Sequence, residues 1–204
     1  MITNGIIFKN FLIKKRFKQV SKDLNHILKK KNQVIQSLSE NYKNSFDIKK
    51  LNKYKKFKNF RVIGMGGSSL GTQAIYDFLR KKIKKNFSFV NDLDVSNKNK
   101  KDKNCLNLVV SKSGETLETI VNTNLIINKQ DKNLIITENK DNYLYKLAQS
   151  LKAEVIHHNN FIGGRYSVLS ETGMLPSELM GLDSKKFRQL NSLVKNKKYL
   201  NALI

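Results

Sequence analysis

Phe60-Arg61-Val62-Ile63-Gly64-Met65-Gly66-Gly67-Ser68-Ser69-Leu70-Gly71 decides the fold. Residues 60–65 form a short run rich in apolar and β-branched side chains and read as a strand. A glycine-rich turn follows. From Leu70 onward Ala74, Ile75, Phe78, Leu79 and Ile83 recur at helical spacing. Strand, glycine turn and helix make the opening of a βα unit. The glycines permit a tight reversal and let backbone N–H groups face an anion at the helix N-terminus. The loop nearly spells the dinucleotide-binding fingerprint, but Ser69 stands where the last glycine belongs. Asp92 and Asp94, after the next strand, would offer the ribose-binding carboxylate of that motif. A tight turn without a ligand would use the same residues.

The alternation continues outward. Residues 87–90, 106–110, 134–137 and 154–157 read as further strands, residues 116–128 and 143–151 as helices, and 92–104 as a polar loop. Strands alternating with helices of this length predict a parallel sheet covered on both faces, with right-handed crossovers. The expected fold is α/β, a doubly wound, flavodoxin-like sheet of about five strands in the order 2-1-3-4-5, preceded by a helical N-terminal segment. Upstream, Phe17, Val20, Leu24, Leu28, Ile35 and Leu38 predict one long amphipathic helix over 12–40, with His26 beside its apolar stripe, and Asp47 opens a short one. Downstream, Phe187, Leu190, Leu193 and Val194 begin another helical pattern that meets no Gly or Pro stop signal before Ile204. The expected organisation is a helical segment over 1–59, a ligand-binding domain over 60–183, and over 184–204 the start of a truncated helical connection.

Two other segments stand out. Ser111-Lys112-Ser113-Gly114-Glu115-Thr116-Leu117-Glu118-Thr119 also lies where a strand passes into a helix. Its four hydroxyls and the free amides of the helix N-terminus suit a phosphate monoester. Capping of the helix by Ser113 or Thr116 is the alternative use, but four hydroxyls exceed what one cap needs. In the order 2-1-3-4-5, strands one and three are neighbours at the topological switch point, so the glycine turn and the hydroxyl loop line one crevice. That pairing favours a small phosphorylated ligand over a dinucleotide. The remaining segment runs from Asn160 to Ser170 and carries Gly163-Gly164-Arg165-Tyr166. Two glycines allow close backbone approach beside one fixed cation; a loop arginine paired with a surface carboxylate is the plainer reading.

The chain has 204 residues and a formal net charge of +23. Five of its 39 basic residues are arginine, the others being lysines spread along the chain, with abundant Asn and Ile and one proline. This composition fits an AT-rich coding sequence. A dedicated nucleic-acid binder clusters its basic residues and favours Arg, so no specific nucleic-acid partner is expected. Cys105 is the single cysteine, which excludes an internal disulfide and points to a reducing compartment. No apolar run approaches a membrane span, and the first eleven residues are too polar and short for a secretory signal. A cytoplasmic location without a membrane partner is expected.

Taken together, the three segments resemble the amino-terminal half of the phosphoglucose isomerase (glucose-6-phosphate isomerase) family, whose core is built of sugar isomerase (SIS) domains. Residues 64–71 are similar to its glycine-serine loop, 111–119 to its Ser-Lys-Ser/Thr phosphate loop, and 160–170 to its Gly-Gly-Arg-Phe/Tyr-Ser signature. The resemblance spans residues 61–183. It implies reversible aldose–ketose isomerisation of glucose 6-phosphate and fructose 6-phosphate through a cis-enediol, without cofactor or metal. It also implies a homodimer in the complete protein. Gly67, Ser68, Ser111, Ser113 and Thr116 would hold the sugar phosphate, with Lys112 adding charge and Thr119 close by. Arg165 would stabilise the enediolate, and Gly164 would give it room. Glu115, Glu171 and Thr172 depart from the family pattern. The family's catalytic glutamate, ring-opening histidine and late lysine belong to segments downstream of this chain.

Among the residues present, Glu171 is the best local substitute base, and helical geometry is expected to turn it towards solvent. Glu115 and Glu118 would face the wrong end of the sugar. His157 and His158 should point to opposite faces of the last strand, so one of them could reach the crevice. The rival reading is a non-enzymatic SIS-domain module that binds a sugar phosphate for regulation; it has no use for an enediolate-stabilising cation.

Overall fold

The computed structural model describes residues 17–30, 32–93 and 104–190. Two compact units are present: residues 43–184, and residues 1–42 with 185–204. Among the described residues the strands are β1 (Asn59–Ile63), β2 (Asn86–Val90), β3 (Cys105–Val110), β4 (Lys132–Thr137) and β5 (Glu154–His157). The helices are α1 (Lys18–Lys29), α2 (Gln33–Ser37), α3 (Ile48–Leu51), α4 (Leu70–Phe78), α5 (Leu117–Ile126), α6 (Tyr143–Leu151) and α7 (Glu171–Leu179).

In the larger unit the strands form one parallel sheet in the order β2-β1-β3-β4-β5, as expected. The two-residue period of a strand sorts the core into two layers. Ile63 pairs with Val90 and Val109, and Val109 with Ile135. These four side chains pack with Ile126 of α5 and with Leu144 and Ala148 of α6. On the opposite face the Phe60 ring stacks on Phe87 at 4.6 Å, and Tyr76 of α4 tilts against Phe87 and Phe89. Helices therefore cover both faces, as a doubly wound sheet requires. The fully buried Phe60, Ile63, Val109, Ile135 and Leu144 side chains each contribute about 1.5–3 kcal/mol.

Helix α7 is buried along its whole length. Glu171, expected to face solvent, is 0% exposed instead, and its Oε1 accepts the Ser45 N–H at 2.9 Å. The reason is that α7 starts beneath the 3-10 turn Gly164–Leu169 rather than beyond it, with Thr172 Oγ1 and Ser170 Oγ both donating to Ser167 O at 2.7 Å. Pro176 lies inside this helix and has no N–H to give to the carbonyl four residues back, that of Thr172. The Thr72 hydroxyl of α4 donates to that carbonyl at 2.7 Å. One side chain thus repairs the backbone defect of a neighbouring helix and binds α4 to α7.

The smaller unit corrects the single helix expected over 12–40. Lys30 is extended (ψ 135°), and a second helix, α2, begins after Asn32, whose side chain accepts the Val34 N–H at 2.8 Å. Asparagine serves better as a cap than inside a helix, and here it restarts the chain. Residues 12–16 lie outside the described residues. At the other end the guanidinium of Arg188, itself buried, donates to Ser37 O at 2.6 Å and lies 4.7 Å from the Tyr42 ring. It thereby satisfies a carbonyl at the end of α2. The helical pattern expected over 184–204 begins as a 3-10 helix, Ser184–Leu190; Leu193 and Val194 lie outside the described residues.

Thr72→Val should leave the Thr172 carbonyl unsatisfied and lower the unfolding free energy by about 1–3 kcal/mol in urea denaturation. In a Pro176→Ala background, where residue 176 regains an N–H, the same substitution should cost at least about 1 kcal/mol less. Equal costs in the two backgrounds would show that the hydroxyl does not serve the proline gap.

Candidate functional site

The three segments singled out in the sequence meet at the carboxyl-terminal edge of the sheet. Gly64 ends β1 so close to β3 that a Cβ there would come within 2.8 Å of Val110 O and 3.1 Å of Ser68 Cβ. The turn holding Gly67 and Ser68 is thereby set beside Ser111, which follows Val110. Gly67 in turn packs on Gly164: a Cβ on Gly67 would lie 2.6 Å from Gly164 Cα. The Ser167 hydroxyl spans this contact, within 2.9 Å of Gly67 O and 2.8 Å of Gly164 O. The Gly164–Arg165 backbone is thus fastened to the glycine turn. Arg165 is exposed and has no carboxylate partner among the described residues, contrary to the surface-pair reading.

The hydroxyl loop is ordered by its own members. Ser111 Oγ lies 2.9 Å from Thr116 Oγ1 and accepts the Gly114 N–H at 3.2 Å, while Ser113 Oγ accepts the Glu115 N–H at 3.2 Å. Thr116 is the N-cap residue of α5, yet its hydroxyl makes no cap bond. The capping alternative is therefore not how Thr116 is used, and the first-turn amides of α5 have no side-chain acceptor from it. α4, which follows the glycine turn, likewise has no side-chain cap. Thr119 is 1% exposed, and its Oγ1 has no hydrogen-bond partner among the described residues.

Lys112 is half-buried, and its ammonium lies 3.5 Å from Glu138 Oε1, whose other oxygen takes Lys140 at 2.8 Å. Burial works to raise the Glu138 pKa, but the ammoniums of Lys140 and Lys112 outweigh it and hold the carboxyl below its usual range. Lys112 is thus directed by a carboxylate at the end of β4. The two histidines diverge as expected: His157 is exposed and accepts the Asn139 N–H at 3.1 Å through Nδ1, whereas His158 is 1% exposed. Burial holds the His158 pKa below its ordinary value. Lys112 adds to this, while the Asn159 carbonyl, Glu171 and Glu138 oppose it.

Four residues that position the site, Gly114, Asn142, Glu138 and Ser167, were not assigned a role from sequence. Gly114 adopts φ +71° with Asn142 packed on its Cα, so that a Cβ would fall 2.7 Å from Asn142 Nδ2. Asn142 also caps α6 by accepting the Tyr145 N–H at 2.9 Å. An Asp-Asn pair ahead of an apolar helical pattern is the cue that could have marked Asn142. Glu138 carried one cue, its place just past a strand facing the crevice. Ser167 belonged to a quoted motif but carried no cue of its own. Asp92, the carboxylate of the dinucleotide reading, is exposed, and its carbonyl accepts from the Asn122 side chain at 2.8 Å; Asp94 lies outside the described residues. Among the described residues no three His, Cys, Asp or Glu side chains converge as metal ligands, and no helix is long and apolar enough to cross a membrane.

Comparison with known proteins agrees with this geometry. Residues 10–197 match the family described as phosphoglucose isomerase. The glucose-6-phosphate isomerase of Mycoplasma genitalium is 32% identical over 191 residues, covering 78% of this chain and 44% of that protein. That of Borrelia garinii is 37% identical over 148 residues, covering 64% of this chain and 28% of that protein. The chain thus spans less than half the length of these relatives. In fold it is similar to a hypothetical protein of Thermus thermophilus, with a TM-score of 0.70 at 19% identity over 91% of this chain and 49% of the other.

Gly114→Ala should cost several kcal/mol or abolish folding, because it combines a left-handed backbone with a steric overlap. Asn142→Ala, which removes the overlapping partner, should make Gly114→Ala more tolerable in the double variant; thermal melts of the four proteins check this. A second expectation concerns pH. A histidine kept neutral by burial takes up its proton less readily when folded than when unfolded. Its contribution is therefore intact above the unfolded pKa near 6.5 and is lost as pH falls from there towards the depressed folded value. The melting temperature should drop between about pH 7 and pH 5, and His158→Gln should flatten that drop. An unchanged slope in the variant would assign the acid sensitivity elsewhere.

Proposed function

The chain belongs to the phosphoglucose isomerase family, and we propose that it is the sugar-phosphate-holding half of a glucose-6-phosphate isomerase. The observation that carries this reading is the convergence of three loops through two backbone contacts, Gly64 on Val110 and Gly67 on Gly164. In this reading Gly67, Ser68, Ser111, Ser113 and Thr116 grip the phosphate of glucose 6-phosphate or fructose 6-phosphate. The first-turn amides of α5 add a partial positive charge, and Thr119 closes the inner wall. Lys112, directed by Glu138, supplies a full charge nearby. Arg165 stabilises the negative oxygen of the enediolate while a carboxylate moves the proton between C2 and C1, and Gly164 leaves space for that oxygen.

The proton-transferring base comes from outside this chain. Glu171 is a poor substitute because a fully buried carboxylate already engaged by the Ser45 N–H does not reach a bound sugar. Within the complete protein we assign residues 60–183 to sugar-phosphate binding, residues 1–59 to a helical lead-in and residues 184–204 to the start of a helical connection. A homodimer in the cytoplasm is part of the same proposal.

Isothermal titration tests the grip: glucose 6-phosphate should bind where glucose does not, and Ser111→Ala with Thr116→Val should weaken binding at least about tenfold. Equal binding of the two sugars would sink the reading. In the full-length protein of the same source, Arg165→Ala should lower kcat about 10²–10³-fold with little change in KM. The chain alone should show no turnover at an enzymatic rate. Phosphate-dependent binding with no turnover by the full-length protein would instead favour the non-enzymatic module.

A further inference from the structure

The lysines of the larger unit are not evenly placed on the fold. Connections that lead from a helix into a strand lie at the sheet's amino-terminal edge. Among the described residues these are 52–58, 79–85, 127–131 and 152–153, and they hold eleven lysines and arginines against one acid, Asp131. The described parts of the connections at the carboxyl-terminal edge, 64–69, 91–93, 111–116, 138–142 and 158–170, hold three cations (Lys112, Lys140 and Arg165) against four acids (Asp92, Glu115, Glu138 and Asp141). A coding bias would load both edges alike. This separation becomes visible only once the topology assigns each loop to an edge.

The basic loops also meet. The Lys85 ammonium donates to Lys55 O at 2.5 Å, and Asn86 N to Lys58 O at 2.9 Å, joining 79–85 to 52–58. Burial, and then the charge of Lys55, push the Lys85 pKa below its ordinary value, so like charges crowd here. Three cavities of about 380, 490 and 530 Å³ run along this edge, and the half-buried Phe57 ring lines all of them. The last carries Lys53, Lys56, Lys129, Lys132 and Lys152 against Asp131 and Glu154, with Lys53 paired to Glu154 at 2.5 Å. None of the three is lined by the site residues of the opposite edge.

We propose that this amino-terminal edge binds single-stranded nucleic acid through its phosphates, without reading sequence, at a site separate from the sugar-phosphate crevice. Nearly all of the cations are lysines, which contact phosphates as point charges; bidentate base reading is the property of arginine. A grooved edge with one aromatic ring suits a flexible strand that stacks a base as it passes. A flat anionic membrane surface would meet the exposed lysines but not the half-buried Phe57 ring that lines all three cavities, so the grooves favour a strand. The proposal is independent of the isomerase reading.

The test is fluorescence anisotropy of the chain with a labelled oligouridylate of about 20 nucleotides, with salt varied from about 50 to 200 mM. Lys56→Glu with Lys129→Glu, both exposed, should weaken binding at least about tenfold. Lys18→Glu with Lys22→Glu, exposed on α1 and equal in charge change, should weaken it less than about threefold. The groove pair should also reduce the salt slope by about 1.4, or 0.7 per lost phosphate contact. Phe57→Ala should weaken binding about fivefold or more and leave that slope unchanged. Millimolar glucose 6-phosphate should not displace the strand. Equal weakening by the two lysine pairs, displacement by glucose 6-phosphate, or tighter binding to duplex DNA or phosphatidylserine vesicles would overturn the proposal.

Discussion

Gly67 and Gly164 touch backbone to backbone, and the rest of the candidate site is arranged around that contact. Any side chain at Gly67 would push the arginine loop away from the glycine turn. The Ser167 hydroxyl would then lose a carbonyl on one side of the seam. The same seam fixes the depth of α7, since Ser167 O also receives the Thr172 and Ser170 hydroxyls. Helix α7 is in turn bound to α4 through Thr72 and the carbonyl left open by Pro176. A cation near the crevice, a buried helix and the helix that follows the glycine turn therefore share one chain of contacts.

The crevice makes little use of the protein's abundant positive charge. What lines it is short hydroxyl side chains, helix N-termini without side-chain caps, and one lysine held by a carboxylate. Partial charges fixed by backbone geometry recognise a phosphate without attracting every anion in solution, because they act only at contact distance. The acids around this edge reinforce the restraint. In the two proposals, ligand selection and long-range attraction fall on opposite edges of the same sheet.

Much of this was legible in the sequence. The five strands announced themselves as short apolar runs, and the strand order of a doubly wound sheet put the glycine turn and the hydroxyl loop on one crevice. The motif around Arg165 carried the family resemblance. What escaped depended on contacts between distant residues. Glu171 was expected at the surface because its helix was imagined leaving the arginine loop, whereas the turn at 164–169 folds the helix beneath it. The break between α1 and α2 falls in the gap of the apolar stripe between Leu28 and Ile35, where Asn32 is a capping residue. Asn142 and Glu138 act through packing on a loop more than 20 residues earlier, which local pattern does not display. The charge asymmetry was present in the residue order all along, but adjacent loops in sequence alternate between the two edges, so the signal averages away when read along the chain.

The seam joins Ser167 to Gly67 across 100 positions of chain. Closing a loop of that length costs about 4 kcal/mol of chain entropy, and no local structure offsets it in advance. On a growing polypeptide, β1 can pair with β2 and β3 as they emerge, but the Gly67 side of its turn has no partner until the Gly-Gly-Arg segment has been synthesised. The proposed sugar-phosphate site is thereby completed late in folding. A ligand that requires both sides of the seam stabilises only the chain that has completed it, and partly folded forms gain nothing from its presence.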